Sequence, residues 1–218
     1  MRKRLSIKTR RPDLSRSEFR RYYETNHVPL GLSFIDHFGW LRYVRNHVLS
    51  SRGALITFDC FAEFWVADDA DDEALYRFLR SEDFRRLDLD DREFLDISRR
   101  LSLEVREIVL HADESGRLEQ CNKAVLMWEQ NSNPREAAET VAARIVSALP
   151  PRVCSATLNV ALSPVPEESP FDVFLSLEYS ENTPLEIDVS LLPKGRWALV
   201  EVDPLETPPE KLAVGAYK

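Results

Sequence analysis

The sequence predicts an α+β protein in which the order βαββαβ occurs twice in succession, and three observations lead there. Strand-like alternation and helix-like periodicity follow one another in that order through the first half of the chain. After a polar linker at Asp113 to Arg117 the order begins again. The length of 218 residues accommodates two units of roughly 100, each able to bury a core without disulfides.

Residues 3 to 10 alternate as a strand, and Ser15-Arg16-Ser17-Glu18 is a capping box that opens a helix running to about His27. Pro29 lacks an amide donor and disfavours helical geometry at Val28, so the helix is expected to stop or kink there, with irregular chain to Gly39. Strands 40–49 and 57–67, rich in aromatic and β-branched residues, are separated by a polar turn around Ser50 to Gly53. Asp68 to Asp72 places acid at a helix start, Leu75, Phe78 and Leu79 share one helical face, and a second helix near 82–97 leads to strand 103–111.

In the second half, Ala124 to Trp128 reads as a strand, and Asn133-Pro134-Arg135-Glu136 as an N-cap, a proline at the first helical position and a glutamate at the third. That helix reaches Leu149 before Pro150-Pro151, and strands follow at 152–162, 171–179 and 196–203, with Pro164 to Pro170 as a loop. Residues 184–192 occupy the place of the second helix but are short and β-branched, so no full helix is expected. The whole is read as tandem ferredoxin-like units, 1–113 and 119–218, whose sheets cover one another in an intramolecular pseudo-dimeric α/β barrel.

Composition narrows the function. No apolar run approaches the roughly 20 residues that span a bilayer, and Leu5 to Arg11 lacks the apolar core of a signal peptide, so a cytoplasmic protein without a membrane partner is expected. Cys60, Cys121 and Cys154 are odd in number and lack CxxC spacing, which favours reduced thiols over disulfides or zinc. Net charge is −8, yet residues 1–52 hold twelve Lys and Arg against four Asp and Glu, leaving 17 against 33 for the rest. Most of such a chain repels phosphate, so no nucleic-acid partner is expected, and the basic start pairs with the acidic remainder or attracts an anionic small molecule. With six glycines, no phosphate-cradling loop and no GxSxG, neither a nucleotide cofactor nor a serine nucleophile is indicated. His27, His37 and His47 lie ten apart without a carboxylate partner motif, so no metal site is expected, and His37 and His111 read as surface or loop residues.

The first 112 residues resemble the EthD domain family of small dimeric α/β barrels. The residues that carry the likeness are Arg10-Arg11-Pro12 with Leu14-Ser15, Phe19, Tyr22, His27-Val28-Pro29-Leu30, Tyr43, Asn46, His47, Phe58-Asp59 and Glu63-Phe64-Trp65. Tyr23 stands where the family usually has tryptophan, and Cys60 where glycine is commoner. The resemblance implies that the second half is a diverged partner completing the barrel, with one site per chain and no cofactor. It also allows a homodimer. Family members occur in bacterial ether degradation and fungal aromatic polyketide pathways, some as dehydratases or cofactor-free oxidases, and the family is broadly labelled oxidoreductase.

Candidate site residues emerge from the strands. Tyr43, Arg45 and His47 share one strand face, and Asp59, Phe61, Glu63 and Trp65 share a face opposite the apolar Phe58, Cys60, Ala62, Phe64 and Val66. If the apolar set packs under the helices, the two mixed sets line one interior pocket. His27 and His47 are the candidate catalytic residues, with Tyr23, Tyr43, Arg45, Asp59, Glu63 and Trp65 as candidate substrate contacts. The plainer reading makes His27 a helix-terminal cation, Arg45 and Glu63 a cross-strand ion pair, and Phe19, Tyr22 and Tyr23 core. The function expected is proton-transfer chemistry on an aromatic or carbonyl-bearing small molecule, ending in dehydration, cyclisation or cofactor-free oxidation. The alternative is a non-catalytic binding or accessory protein, or a barrel filled by its own side chains.

Overall fold

The computed structural model describes residues 1–112, 121–130, 135–165, 171–180, 183–192, 194–213 and 215. The Asp113 to Arg117 linker, the Asn133-Pro134 cap and most of the Pro164 to Pro170 loop lie outside them. Two compact units make up the chain, one of Met1–His47, Thr57–Ser102 and Leu205–Lys218, the other of Val48–Ile56 and Leu103–Pro204. Each thus takes a segment from the other's half of the sequence.

The first unit is an antiparallel sheet with its helices packed on one face. Strand β1 (Arg2–Lys8) pairs with β3 (Cys60–Val66), which pairs in turn with β2 (Trp40–Gly53). Helix α1 (Arg16–Tyr22) opens on the expected capping box: the Glu18 amide donates to the Ser15 hydroxyl at 3.2 Å, and the Ser15 amide donates to the Glu18 carboxylate at 2.9 Å. At Pro29 the helix kinks rather than stops. Tyr23–His27 form a π-helical turn in which the Val28 amide reaches back to the Tyr23 carbonyl, and Val28–Leu32 then continue as α2. Pro29 cannot donate to the carbonyl four residues earlier, and the wider turn before it relieves the clash of its ring with that carbonyl. Helices α3 (Asp72–Phe78) and α4 (Glu82–Phe94) follow β3, capped by Asp71 and Ser81. Their core with the sheet contains Phe19, Tyr23, Ile35, Tyr43, Cys60, Ala62 and Phe94.

The second unit is also antiparallel. Strand β4 (Leu101–Ala112) pairs with β6 (Val153–Ala161), β6 with β7 (Val173–Tyr179), β7 with β5 (Asn122–Trp128), and β5 with β8 (Trp197–Glu206). Helix α5 (Arg135–Ala148) packs Ala142 and Ile145 against Leu126, Trp128, Leu158, Leu175 and Leu177. At 184–192 the described chain holds one 3₁₀ turn, Val189–Leu191, where the degenerate repeat predicts no full helix. His111 lies on β4 with its side chain exposed, the surface alternative of the two expected.

Candidate active site

The register of β2 against β3 decides which side chains meet. Tyr43 stands opposite Phe64, Arg45 opposite Ala62 and His47 opposite Cys60. Residues facing each other across an antiparallel pair share a face, so Tyr43, Arg45 and His47 point toward the helices together with Cys60, Ala62 and Phe64. Val44 and Asn46, opposite Glu63 and Phe61, take the other face. The expectation of one pocket holding all six polar candidates is therefore corrected: Tyr43, Arg45 and His47 lie on one side of the sheet, and Glu63 and Trp65 on the other. Alternation within a strand gives two faces but not which of them is shared with the neighbour.

On the helix side the residues converge. His27 and His47 flank the Tyr23 ring, with centroids 5.4 and 5.8 Å away. The Tyr23 and Tyr43 hydroxyls share a hydrogen bond of 3.0 Å. Glu24, one residue along the π turn from Tyr23, accepts from His47 Nε2 at 2.7 Å and from Arg45 Nε at 3.0 Å. Arg45 Nη1 also donates to the Thr207 hydroxyl at 2.6 Å. Burial pushes the Glu24 carboxyl up, but His47 and Arg45 outweigh it and hold the group below its ordinary range.

His27 has a different setting. Its Nδ1 lies 2.8 Å from the Asp90 carboxylate, which also accepts from the Tyr22 hydroxyl at 2.8 Å. An Nδ1–H donated to a carboxylate leaves the lone pair on Nε2, and Nε2 has no hydrogen bond among the described residues. The Asp90 carboxyl is raised by burial but held below its usual range by His27 and Tyr22. Asp91 Oδ1 lies 3.6 Å from the same imidazole nitrogen and is buried without a hydrogen bond.

Two further buried groups, Cys60 and Lys8, complete the site. Burial raises the hydroxyls of Tyr23 and Tyr43 and the Cys60 thiol, so all three stay protonated near neutrality. Lys8, 7% exposed, has its ammonium 5.6 Å from the centre of the Tyr23 ring and no hydrogen bond or ion pair among the described residues. Burial lowers its pKa.

The remaining predicted contacts are structural in this arrangement. Glu63 pairs with Lys3 at 2.8 Å and accepts from Asn46 Nδ2 at 2.9 Å, and Lys3 stands 4.1 Å over the Trp65 ring. The cross-strand Arg45–Glu63 pair does not form, because the two residues face opposite ways. Asp59 accepts from the Arg10 amide at 3.1 Å and from the Arg10 and Arg16 side chains at 3.2 and 3.1 Å. His37 stacks on Phe78 at 4.8 Å, away from the other two histidines.

Sequence reasoning missed Glu24, Lys8, Asp90, Asp91 and Thr207. For Lys8 a signal existed, since it shares strand parity with Arg2, Arg4 and Ser6. Asp90 and Asp91 read as ordinary acids of a solvated helix.

Along the same sheet face a cleft of ≈ 230 Å³ opens between β1, β3 and α3, lined by Arg4, Ser6, His37, Trp40, Phe64 and Leu75 among others. Trp40 and Phe64 pack on Tyr43, at 5.1 and 4.6 Å between ring centres, so the cleft wall is continuous with the aromatic floor of the site.

Comparison with known proteins gives a domain match in the first half of the chain and a likeness in fold. Residues 11–98 match the model of the EthD domain family. An anthrone oxidase-like protein of solved structure superposes with a TM-score of 0.55 at 11% identity, over 94% of this chain and 92% of that one. A candidate monooxygenase from Lactobacillus acidophilus NCFM superposes at 0.46 and 11% identity, over 93% of each chain. No curated protein matches.

Proposed function

With residues 11–98 forming an EthD domain, we propose that the protein is a small-molecule enzyme of oxidoreductase type in which His27 removes a proton from an aromatic or carbonyl-bearing substrate. The observation that carries this reading is the His27–Asp90 pair: one imidazole nitrogen is held at 2.8 Å by a carboxylate and the other has no partner among the described residues. That is the arrangement of an oriented general base, with the carboxylate stabilising the imidazolium formed when the proton arrives. Deprotonation of a phenol, or of carbon next to a carbonyl, yields a phenolate or enolate. Loss of water, ring closure or attack on dioxygen proceeds from that anion. The Tyr23 and Tyr43 hydroxyls share one hydrogen bond of 3.0 Å, so one donates to the other and a single O–H is left to donate to the anion.

His47 and Arg45 take a supporting role here. Their polar atoms are engaged with Glu24 and Thr207, so they hold the π turn, and with it His27, against the sheet.

The test is turnover of anthrones, phenols and β-keto compounds by the wild type and by His27→Asn. Loss of about 10²- to 10⁴-fold in kcat/KM is expected for removal of a general base. A substrate converted equally well by both proteins overturns the assignment.

The near-complete burial of Tyr23, Tyr43, Arg45 and His47 favours a second reading, a binding protein whose polar cluster only holds the fold. Under it, ligands raise the melting temperature and none is consumed.

A further inference from the structure

The geometry points to the cleft beside α3 as the binding site of an aromatic monocarboxylate, a substrate class for the enzyme proposed above; the inference rests on that reading. The argument begins with the cleft's aromatic wall. Trp40 stacks on Phe38 with ring centres 4.4 Å apart at 10°, and meets Phe64 at 4.5 Å with the rings tilted by 39°. A flat ring laid against one of these two rings meets the other at a tilt, and both geometries are favourable for aromatic pairs. For scale, a cavity of about 150 Å³ takes benzene, so ≈ 230 Å³ suits one ring or two fused rings.

Charge then selects the substituent. Two acids and two arginines line the cleft, and three of the four are engaged. Asp72 holds Arg2 through two contacts of 2.9 and 3.2 Å, and Asp71 caps α3 by accepting the Ala74 amide at 2.9 Å. Arg4 makes no hydrogen bond or close ion pair among the described residues; it lies within electrostatic reach of Asp72, whose carboxylate oxygens Arg2 already occupies, so its N–H donors remain to meet a ligand. A planar guanidinium matches a carboxylate with two parallel N–H donors. The nearby Asp71 and Asp72 oppose a dianion such as a phosphate ester, because each added negative charge meets both of them. A monoanion on an aromatic ring satisfies both walls.

Position links the cleft to chemistry. Arg2, Arg4, Ser6 and Lys8 share one face of β1, and the first three line the cleft. Lys8, about 7 Å beyond Ser6 at the rise of a strand, lies over the ring of Tyr23, which His27 flanks. A ring anchored through its carboxylate at Arg4 is therefore directed along the sheet toward Tyr43 and the histidines.

The experiment is calorimetric titration of the full chain with 2-naphthoate and its uncharged analogue 2-naphthamide at low ionic strength. The wild type is expected to bind the acid more tightly than the amide. Arg4→Gln should weaken naphthoate about fivefold, as for a partly solvated ion pair, and leave the amide unchanged. Leu75→Trp, which fills the cleft, should abolish both. Equal affinity of the wild type for acid and amide, no effect of Arg4→Gln, or no binding of naphthoate at all would each overturn the inference. His27→Asn separates the two claims. Naphthoate binding retained in a variant without turnover supports both, whereas binding retained with no substrate of any kind turned over by the wild type sinks the enzyme and leaves the cleft assignment standing.

Discussion

At the scale of single residues, the helix-facing side of the first sheet holds charges that a plain core would exclude. Lys8 is the sharpest case. A buried ammonium without a hydrogen bond costs more than its distant attraction to Asp91 and its contact with a ring return. Its folded pKa lies below the ordinary 10.5, so the unfolded chain binds the proton more tightly and stability rises as pH climbs through that interval. Lys8→Met should stabilise the protein by about 1–2 kcal/mol at pH 7, read as a rise of a few degrees in melting temperature. An unchanged or lowered melting temperature would show that the amine is held by more than these contacts. Asp90 acts through His27. Asp90→Asn preserves shape but removes the charge that stabilises the imidazolium, so kcat should fall by at least tenfold while KM stays near the wild-type value. A purely structural Asp90 would instead lower stability and leave the kcat of folded enzyme intact.

At the scale of elements, what was legible in the sequence and what was not divide along physical lines. Ser15 and Glu18 announce a helix start because a capping box is a local contact between residues three apart. Pro29 announces a break for the same reason, but whether the chain stops or widens into a π turn depends on what the next residues bury. Val28, Gly31 and Leu32 are buried, and packing carries the helix on. Which faces of β2 and β3 coincide is a non-local matter set by register, and one step of register moves every side chain to the opposite face. That is why strand alternation locates His47 and Tyr43 on the right strand yet groups them with Glu63 and Trp65, which look the other way. Gly53, at the end of β2, illustrates a constraint of similar kind. Its φ is 93°, and a Cβ there would lie 2.5 Å from the Trp197 carbonyl oxygen and 2.7 Å from the indole ring. Gly53→Ala should cost about 2 kcal/mol or more, since backbone must move to make room. Denaturant midpoints measure this, and a loss under about 0.5 kcal/mol would show that the turn adapts freely.

At the scale of the whole molecule, the lopsided charge of the sequence resolves into pairing. Arg2 meets Asp72 at 2.9 Å, Arg10 and Arg16 meet Asp59 at 3.2 and 3.1 Å, and Arg42 meets Glu206 at 2.7 Å. The exposed members of this set are worth little each, about 0–1 kcal/mol. The half-buried carboxylates Glu24 and Asp90 are a different matter. The core of the second unit is built from apolar side chains such as Leu126, Trp128, Leu158, Val173 and Leu175, whereas that of the first adjoins Glu24, Asp90 and their histidine partners. Acid should therefore attack the first unit. Both carboxyls have folded pKa values below their ordinary 4.5 and 3.8. Their contributions are complete above those ordinary values and vanish as pH falls through the folded ones, because protons then bind the unfolded chain first. The share of stability that these two carboxyls supply should accordingly be level above about pH 5 and decline below about 4.5. Glu24→Gln isolates one source of the decline: it removes the charge facing His47 and Arg45, so it lowers stability at pH 7. The gap between wild type and variant should shrink as pH drops, because protonated Glu24 is electrically like glutamine. Urea midpoints measured from pH 7 to pH 3 decide it, and a gap of constant size across that range would mean that Glu24 acts through shape and hydrogen bonding rather than charge.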